Sequence, residues 1–152
     1  MTSTNSTGYF KTPLKDFRYA PYRKGGHIVR KKVVLLKRVT WVDAEDAHHH
    51  VPRGFVFDLA SLPVSGVLLS RLGRHQRASV LHDWFYGNKA VGKLWSDDQM
   101  SQAMRHDLVV FWRRYLINTG LFLGGALAWY TPSTVLVVNP STMKTVTERV
   151  FP

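Results

Sequence analysis

The chain has 152 residues with 45% apolar side chains, including 5 Trp, 6 Tyr and 8 Phe, so it can bury a core and is not globally disordered. Its 21 basic and 10 acidic residues give a net charge of +11, which favours an anionic partner such as nucleic acid, phospholipid headgroups or cell-wall polymer. The absence of cysteine excludes a disulfide scaffold and thiolate metal sites.

Residues 1–8 are Ser/Thr/Asn-rich and lack the apolar stretch of a signal peptide, so they are expected to form a flexible tail ahead of a single domain at 9–152. Between residues 9 and 26, Tyr9, Phe10, Phe17, Tyr19 and Tyr22 alternate with Lys and Arg and end at Gly25-Gly26. This pattern suits a strand and turn packed over a core, or stacking on nucleic-acid bases. Val33 to Val42 reads as one β-branched strand. Asp43 to Asp46 reads as a polar turn, and a second strand runs from Ala47 to Asp58, with Pro52 and Gly54 marking an edge or bulge. Within it, His48, His49 and His50 are consecutive; strand alternation lets only His48 and His50 share one ion, and a structural role fits the spacing better. Residues 64–76 read as a loop or short helix, with Arg71, Arg74, His75 and Arg77 forming a basic cluster.

The segment Arg77 to Asn88 is the centre of the chain. As a helix it is apolar nearly all round (Ala78, Val80, Leu81, Trp84, Phe85) and belongs inside the fold. Ser79, His82, Asp83 and Tyr86 interrupt it at i,i+3 and i,i+4 spacing, making one polar stripe that needs partners or a cleft. A capping box is expected at Ser96-Asp97-Asp98-Gln99, followed by a helix that buries Met100, Met104, Leu108, Phe111, Trp112 and Tyr115. Leu116 to Val138 contains no charged residue. Leu116 to Tyr130 reads as a buried or membrane-touching helix, with Gly120, Gly124 and Ala128 forming a small-residue face. Val135–Val138 and Thr145–Phe151 read as a closing strand and tail. The fold class expected is α+β, with N-terminal antiparallel strands packed on a mainly helical C-terminal half.

His82 has the chemistry of a general base when a carboxylate holds its far nitrogen. Asp97, opening the next helix, can reach back to it, and Tyr86 can bond that same carboxylate. Asp83 points about 100° away from His82 on a helix and is placed instead to hold a hard cation. The opposing reading of Asp58, Ser61, His82 and Asp97 is a satisfied polar knot that sets the register of strand, turn and helices without catalysis.

The motifs Val51-Pro52-x-Gly54-Phe55-x-x-Asp58-x-Ala60-Ser61-x-Pro63, His82-Asp83-x-x-Tyr86 and Asp97 with Ala103-Met104 resemble an uncharacterised domain family of tailed phages and prophages, over about residues 45–130. That resemblance implies a viral or prophage origin. With the basic charge and apolar C-terminal third, the role expected is a virion-associated protein, such as a tail or tail-tip component that meets other virion proteins or the host envelope, acting within an assembly and touching a membrane at most peripherally. His82-Asp83-x-x-Tyr86 followed by Asp97 is also similar to the active-site helices of phospholipase A2. This second resemblance implies His82 as base, Asp97 and Tyr86 as its support, Asp83 as a calcium ligand joined by Asp58, Ser61 toward substrate, and an ester of envelope lipid as substrate. The chain lacks that family's disulfides and its glycine-rich calcium loop. The remaining reading is a non-catalytic nucleic-acid binder resting on charge.

Overall fold

A computed structural model describes residues 7–58 and 74–152. The architecture is α+β, with antiparallel strands in the N-terminal half and three helices in the C-terminal half. Strands β1 (Tyr9–Phe10), β4 (Val39–Val42) and β5 (His48–Val51) form one sheet in the order β1-β4-β5. Strands β2 (Tyr19–Lys24), β3 (His27–Leu35) and β6 (Val56–Asp58) form a second in the order β2-β3-β6. The hairpin β7 (Ser133–Val138) and β8 (Thr145–Phe151) forms a third sheet; β7 contains the expected closing strand, and the segment expected as a tail is instead a strand paired with it.

Both long strands expected in the N-terminal half are broken, each where the chain changes sheet. The first is interrupted between Leu35 and Val39, where Lys37 turns outward to pair with Asp16 at 3.0 Å. The second is interrupted at Pro52–Gly54. Pro52 has no amide hydrogen for a ladder. Gly54 has φ +89°, and a Cβ there would lie 1.9 Å from the Val138 carbonyl oxygen. The same close approach carries two hydrogen bonds, Gly54 N to Leu35 O at 2.8 Å and Val138 N to Gly54 O at 2.9 Å. Gly54 therefore joins the end of β3 to the C-terminal hairpin.

Helix α1 (Gln76–Asn88) runs through the interior as its composition requires, with Ala78, Val80, Leu81 and Phe85 in the main core. Helix α2 (Lys93–His106) starts one turn earlier than the sequence suggests, with Gly92 as N-cap. The expected capping box is not formed. Ser96 is instead inside the first turn and its hydroxyl donates to Gly92 O at 3.0 Å, while Gln99 accepts the Trp41 indole N–H at 2.8 Å and ties the first sheet to α2.

The long helix expected from Ser96 onward breaks after α2, where Leu108 takes φ +55° and Val109 N bonds back to Met104 O. Helix α3 (Phe111–Tyr130) then follows. Met100 and Met104 are buried as expected, but Leu108, Phe111 and Tyr115 are 73%, 75% and 64% exposed, because the break turns them out of the face begun by the methionines. Only Ile117 and Gly125 of α3 are buried. Within the expected small-residue face Gly124 makes no close approach, since a Cβ there would meet nothing within 4 Å, whereas Gly125, one residue on, does. Among the described residues no helix is long and apolar enough to cross a membrane.

At the chain start, the expected tail is anchored at its end, since Gly8 is buried and its amide donates to Gln102 Oε1 at 2.8 Å. Residues 1–6, and the expected loop with Arg71 and the turn bearing Ser61, lie outside the described residues. Arg74, His75 and Arg77 do not act together as an exposed basic cluster: His75 and Arg77 are buried, and Arg77 pairs with Asp107.

Candidate active site

α1 and α2 pack side by side across the short Lys89–Gly92 connection, which brings residues one turn apart on α1 against the first turn and a half of α2. His82, Tyr86 and Asp97 meet there. His82 Nε2 lies 2.9 Å from Asp97 Oδ1, and the Tyr86 hydroxyl donates to the same oxygen at 2.7 Å. The His82 and Tyr86 rings lie against one another with centroids 4.0 Å apart, as their i,i+4 spacing allows. Lys93 donates to the other carboxylate oxygen, Asp97 Oδ2, at 2.6 Å.

These contacts fix the proton positions. Burial alone would raise the Asp97 pKa, but hydrogen bonds from His82, Lys93 and Tyr86 outweigh it and hold the carboxyl below its ordinary range. Asp97 is therefore an anion and can only accept, so the His82 proton sits on Nε2 and the Nδ1 lone pair is left free. Burial lowers the His82 pKa against the opposing pull of Asp97, so the imidazole is neutral at pH 7. Tyr86 is raised by burial and by the Asp97 charge and stays protonated. Among the described residues no group hydrogen-bonds His82 Nδ1. The His82 side chain is 7% exposed, against 20% for Asp97 and 19% for Lys93.

The C-terminal helix covers this cluster. A Cβ on Gly125 would come within 3.0 Å of the Tyr86 hydroxyl and 3.1 Å of Lys93 Nζ, so glycine lets α3 lie directly over both. Trp129, one turn on, meets Tyr86 edge to face at 5.0 Å. Lys93 and Gly125 were not among the candidates from the sequence. Lys93 is four residues before Asp97, an i,i+4 pair that becomes visible once the helix is known to start at Lys93 rather than Ser96. Gly125 carries no such local signal.

Asp83 faces the other way. Burial, then the Asp58 carboxylate, push its pKa up to about 7, with Lys32 opposing. Asp58 lies on β6 and pairs with Lys32 across the strand at 3.6 Å. The two acids expected to hold calcium are thus near neighbours, one of them already facing a lysine. Among the described residues no group of three or more His, Asp or Glu side chains gathers into a metal-binding set. Ser61, expected toward substrate, lies outside the described residues, and Ser79 turns from the stripe to donate to His75 O at 3.0 Å. In the histidine run, His49 bonds Asp43 Oδ2 at 2.8 Å and His50 bonds Thr40 Oγ1 at 3.0 Å.

The arrangement can therefore present a neutral, oriented imidazole whose free nitrogen accepts a proton, with an anion behind it to stabilise the imidazolium. No curated protein and no solved structure matches the chain. Residues 33–120, more than half of the chain, match a family described as protein of unknown function, DUF1353, and the match takes in His82, Tyr86, Lys93 and Asp97 but stops short of Gly125. The chain belongs to the DUF1353 family.

Proposed function

We propose that the protein is a hydrolase in which His82 acts as general base on an ester, the sequence resemblance pointing to an envelope lipid as the source of that ester. The observation that carries this reading is the pairing of His82 Nε2 with Asp97 at 2.9 Å while Asp97 is held by Tyr86 and Lys93, which leaves Nδ1 as the basic nitrogen. Nδ1 takes a proton from water as the water oxygen bonds to the ester carbonyl carbon. Asp97 stabilises the imidazolium so formed. Nδ1 then returns the proton to the leaving alkoxide oxygen as the carbon–oxygen bond breaks, restoring neutral His82. No step in this scheme runs through a metal.

The test is hydrolysis of chromogenic and phospholipid esters by the full chain. His82→Ala is expected to lower kcat/KM by about 10²–10⁴-fold with the fold intact, and added imidazole to restore part of it. Because burial depresses the His82 pKa, the acid limb of the pH profile is expected below 6.5, the ordinary histidine value. Turnover by His82→Ala equal to wild type, or no turnover of any ester by wild type, would discard the reading.

For biological setting, we infer a phage-encoded protein acting in or around the virion, on the strength of the motif resemblance. Purified particles are expected to contain it in fixed copy number by quantitative mass spectrometry; absence from particles removes this assignment.

A further inference from the structure

Helix α3 leaves uncovered an apolar surface that the rest of the fold does not use. It touches the molecule along one stripe, and Phe122, Leu123, Leu127 and Tyr130 are each more than three-quarters exposed. Their spacing at 122, 123, 127 and 130 puts them on one face over about 12 Å of helix, so they form a ridge rather than scattered exceptions. Aromatic residues sit at both ends of α3, Phe111, Trp112 and Tyr115 at one and Tyr130 at the other, with leucines between.

The charge around this ridge has one sign. From Leu108 to Thr147 the chain contains no Asp or Glu. Among the described residues Arg105, Arg113 and Arg114 have no ion-pair partner, and the buried Nε atoms of Arg113 and Arg114 have no hydrogen-bond partner. Arg113 and Arg114 lie over the rings of Trp112 and Phe111, at 5.3 and 5.9 Å. Between α2 and α3 runs a groove of about 470 Å3, lined among others by Ser101, Arg105, Arg114, Asn118, Tyr115 and Phe122. It offers two guanidinium groups and an amide beside three aromatic rings, those of Phe111, Tyr115 and Phe122. That combination suits a phosphate joined to an apolar tail.

We propose that α3 docks lengthwise on an anionic phospholipid surface, its leucines and aromatics entering the headgroup–acyl boundary and Arg105 with Arg114 holding a headgroup phosphate in the groove. A second copy of the chain is the poorer occupant, since it would bring one +11 body against another and set unpaired arginines beside arginines. The docking is read without turnover, so it stands or falls independently of His82.

The test is flotation of the full chain with vesicles of phosphatidylcholine alone and of phosphatidylcholine mixed with phosphatidylglycerol, at low and high salt. Binding is expected on the anionic vesicles only, weakened but not abolished by salt. Arg105→Gln and Arg114→Gln are each expected to lower affinity about fivefold. Leu123→Ser with Leu127→Ser is expected to remove the binding that survives salt, without changing the thermal melt, because both side chains are exposed. Four outcomes would overturn the proposal: no vesicle binding; binding that salt abolishes and the leucine variants do not affect; displacement by inorganic phosphate, which would make the groove a free-anion site; or a dimer in solution that Leu123→Ser disperses.

Discussion

Asp97 is the residue on which the candidate site turns. One carboxylate accepts from an imidazole, a phenol and an ammonium, and each donor comes from a different position on two helices. Its neighbour in the earlier pattern, Asp83, has the opposite character. Asp83 is half-buried beside a like charge, and desolvation with that charge sets its folded pKa near 7, above its ordinary 3.8. Between those two pH values the folded state binds more protons than the unfolded chain, and stability must fall as pH rises through that interval. Asp83→Asn removes the ionisation. It is expected to raise stability by about 2 kcal/mol at pH 8, a value discounted for the exposed Asp58 and Lys32 that set part of the shift, and to change little at pH 4. Urea unfolding of both proteins at the two pH values measures this, and an equal effect at both would show that Asp83 carries no unusual charge cost.

Among the elements, β8 is largely exposed and reads as a tail in sequence, because only its pairing with β7 defines it as a strand. By contrast, α1 and β7 were legible because each depends on its own pattern: a helix apolar on nearly every side, and a short β-branched run. His82, Tyr86 and Asp97 were legible for the same reason, since a short connection between helices makes their meeting a local matter. The change of sheet at each strand break was not: β-forming residues resume at Val39 and at Phe55, and although Pro52 and Gly54 mark an irregularity, nothing local says that the partner strand changes there. The division of α2 from α3 was hidden likewise, since helical spacing persists across Asp107–Val110 although the buried face does not. Gly54 shows what fixes one such break: its carbonyl and amide bond two different strands while its missing side chain makes room for Val138 O. Gly54→Ala is expected to cost about 3 kcal/mol or more, through positive φ and the collision together. The expected accompaniment is faster amide exchange at Val138, where the hairpin comes away first; unchanged exchange there would place the strain elsewhere.

Across the whole molecule, two buried polar clusters sit toward opposite ends of α1, and they differ in kind. At the N-terminal end Arg77 forms a bidentate pair with Asp107, donates to Thr12 O at 2.6 Å and lies 4.0 Å over the Phe10 ring. The Arg77 and Asp107 side chains are 3% and 0% exposed, so this cluster is closed and joins α1, the end of α2 and the N-terminal segment. At the other end, Asp97 and Lys93 remain about one-fifth exposed and the histidine keeps a free nitrogen. Arg77 and Asp107 thus fix the register of α1 against the end of α2 and the N-terminal segment. Asp107→Asn would leave the guanidinium charge buried without its counter-ion, an arrangement that costs about 3 kcal/mol or more. For a chain of this size that corresponds to a melting temperature lowered by about 6–12 °C. Asp97→Asn keeps the volume and most hydrogen-bonding capacity at a partly solvated position, so its melt is expected to move by less than half as much while ester turnover falls with His82→Ala. A drop for Asp97→Asn as large as for Asp107→Asn would make both clusters structural.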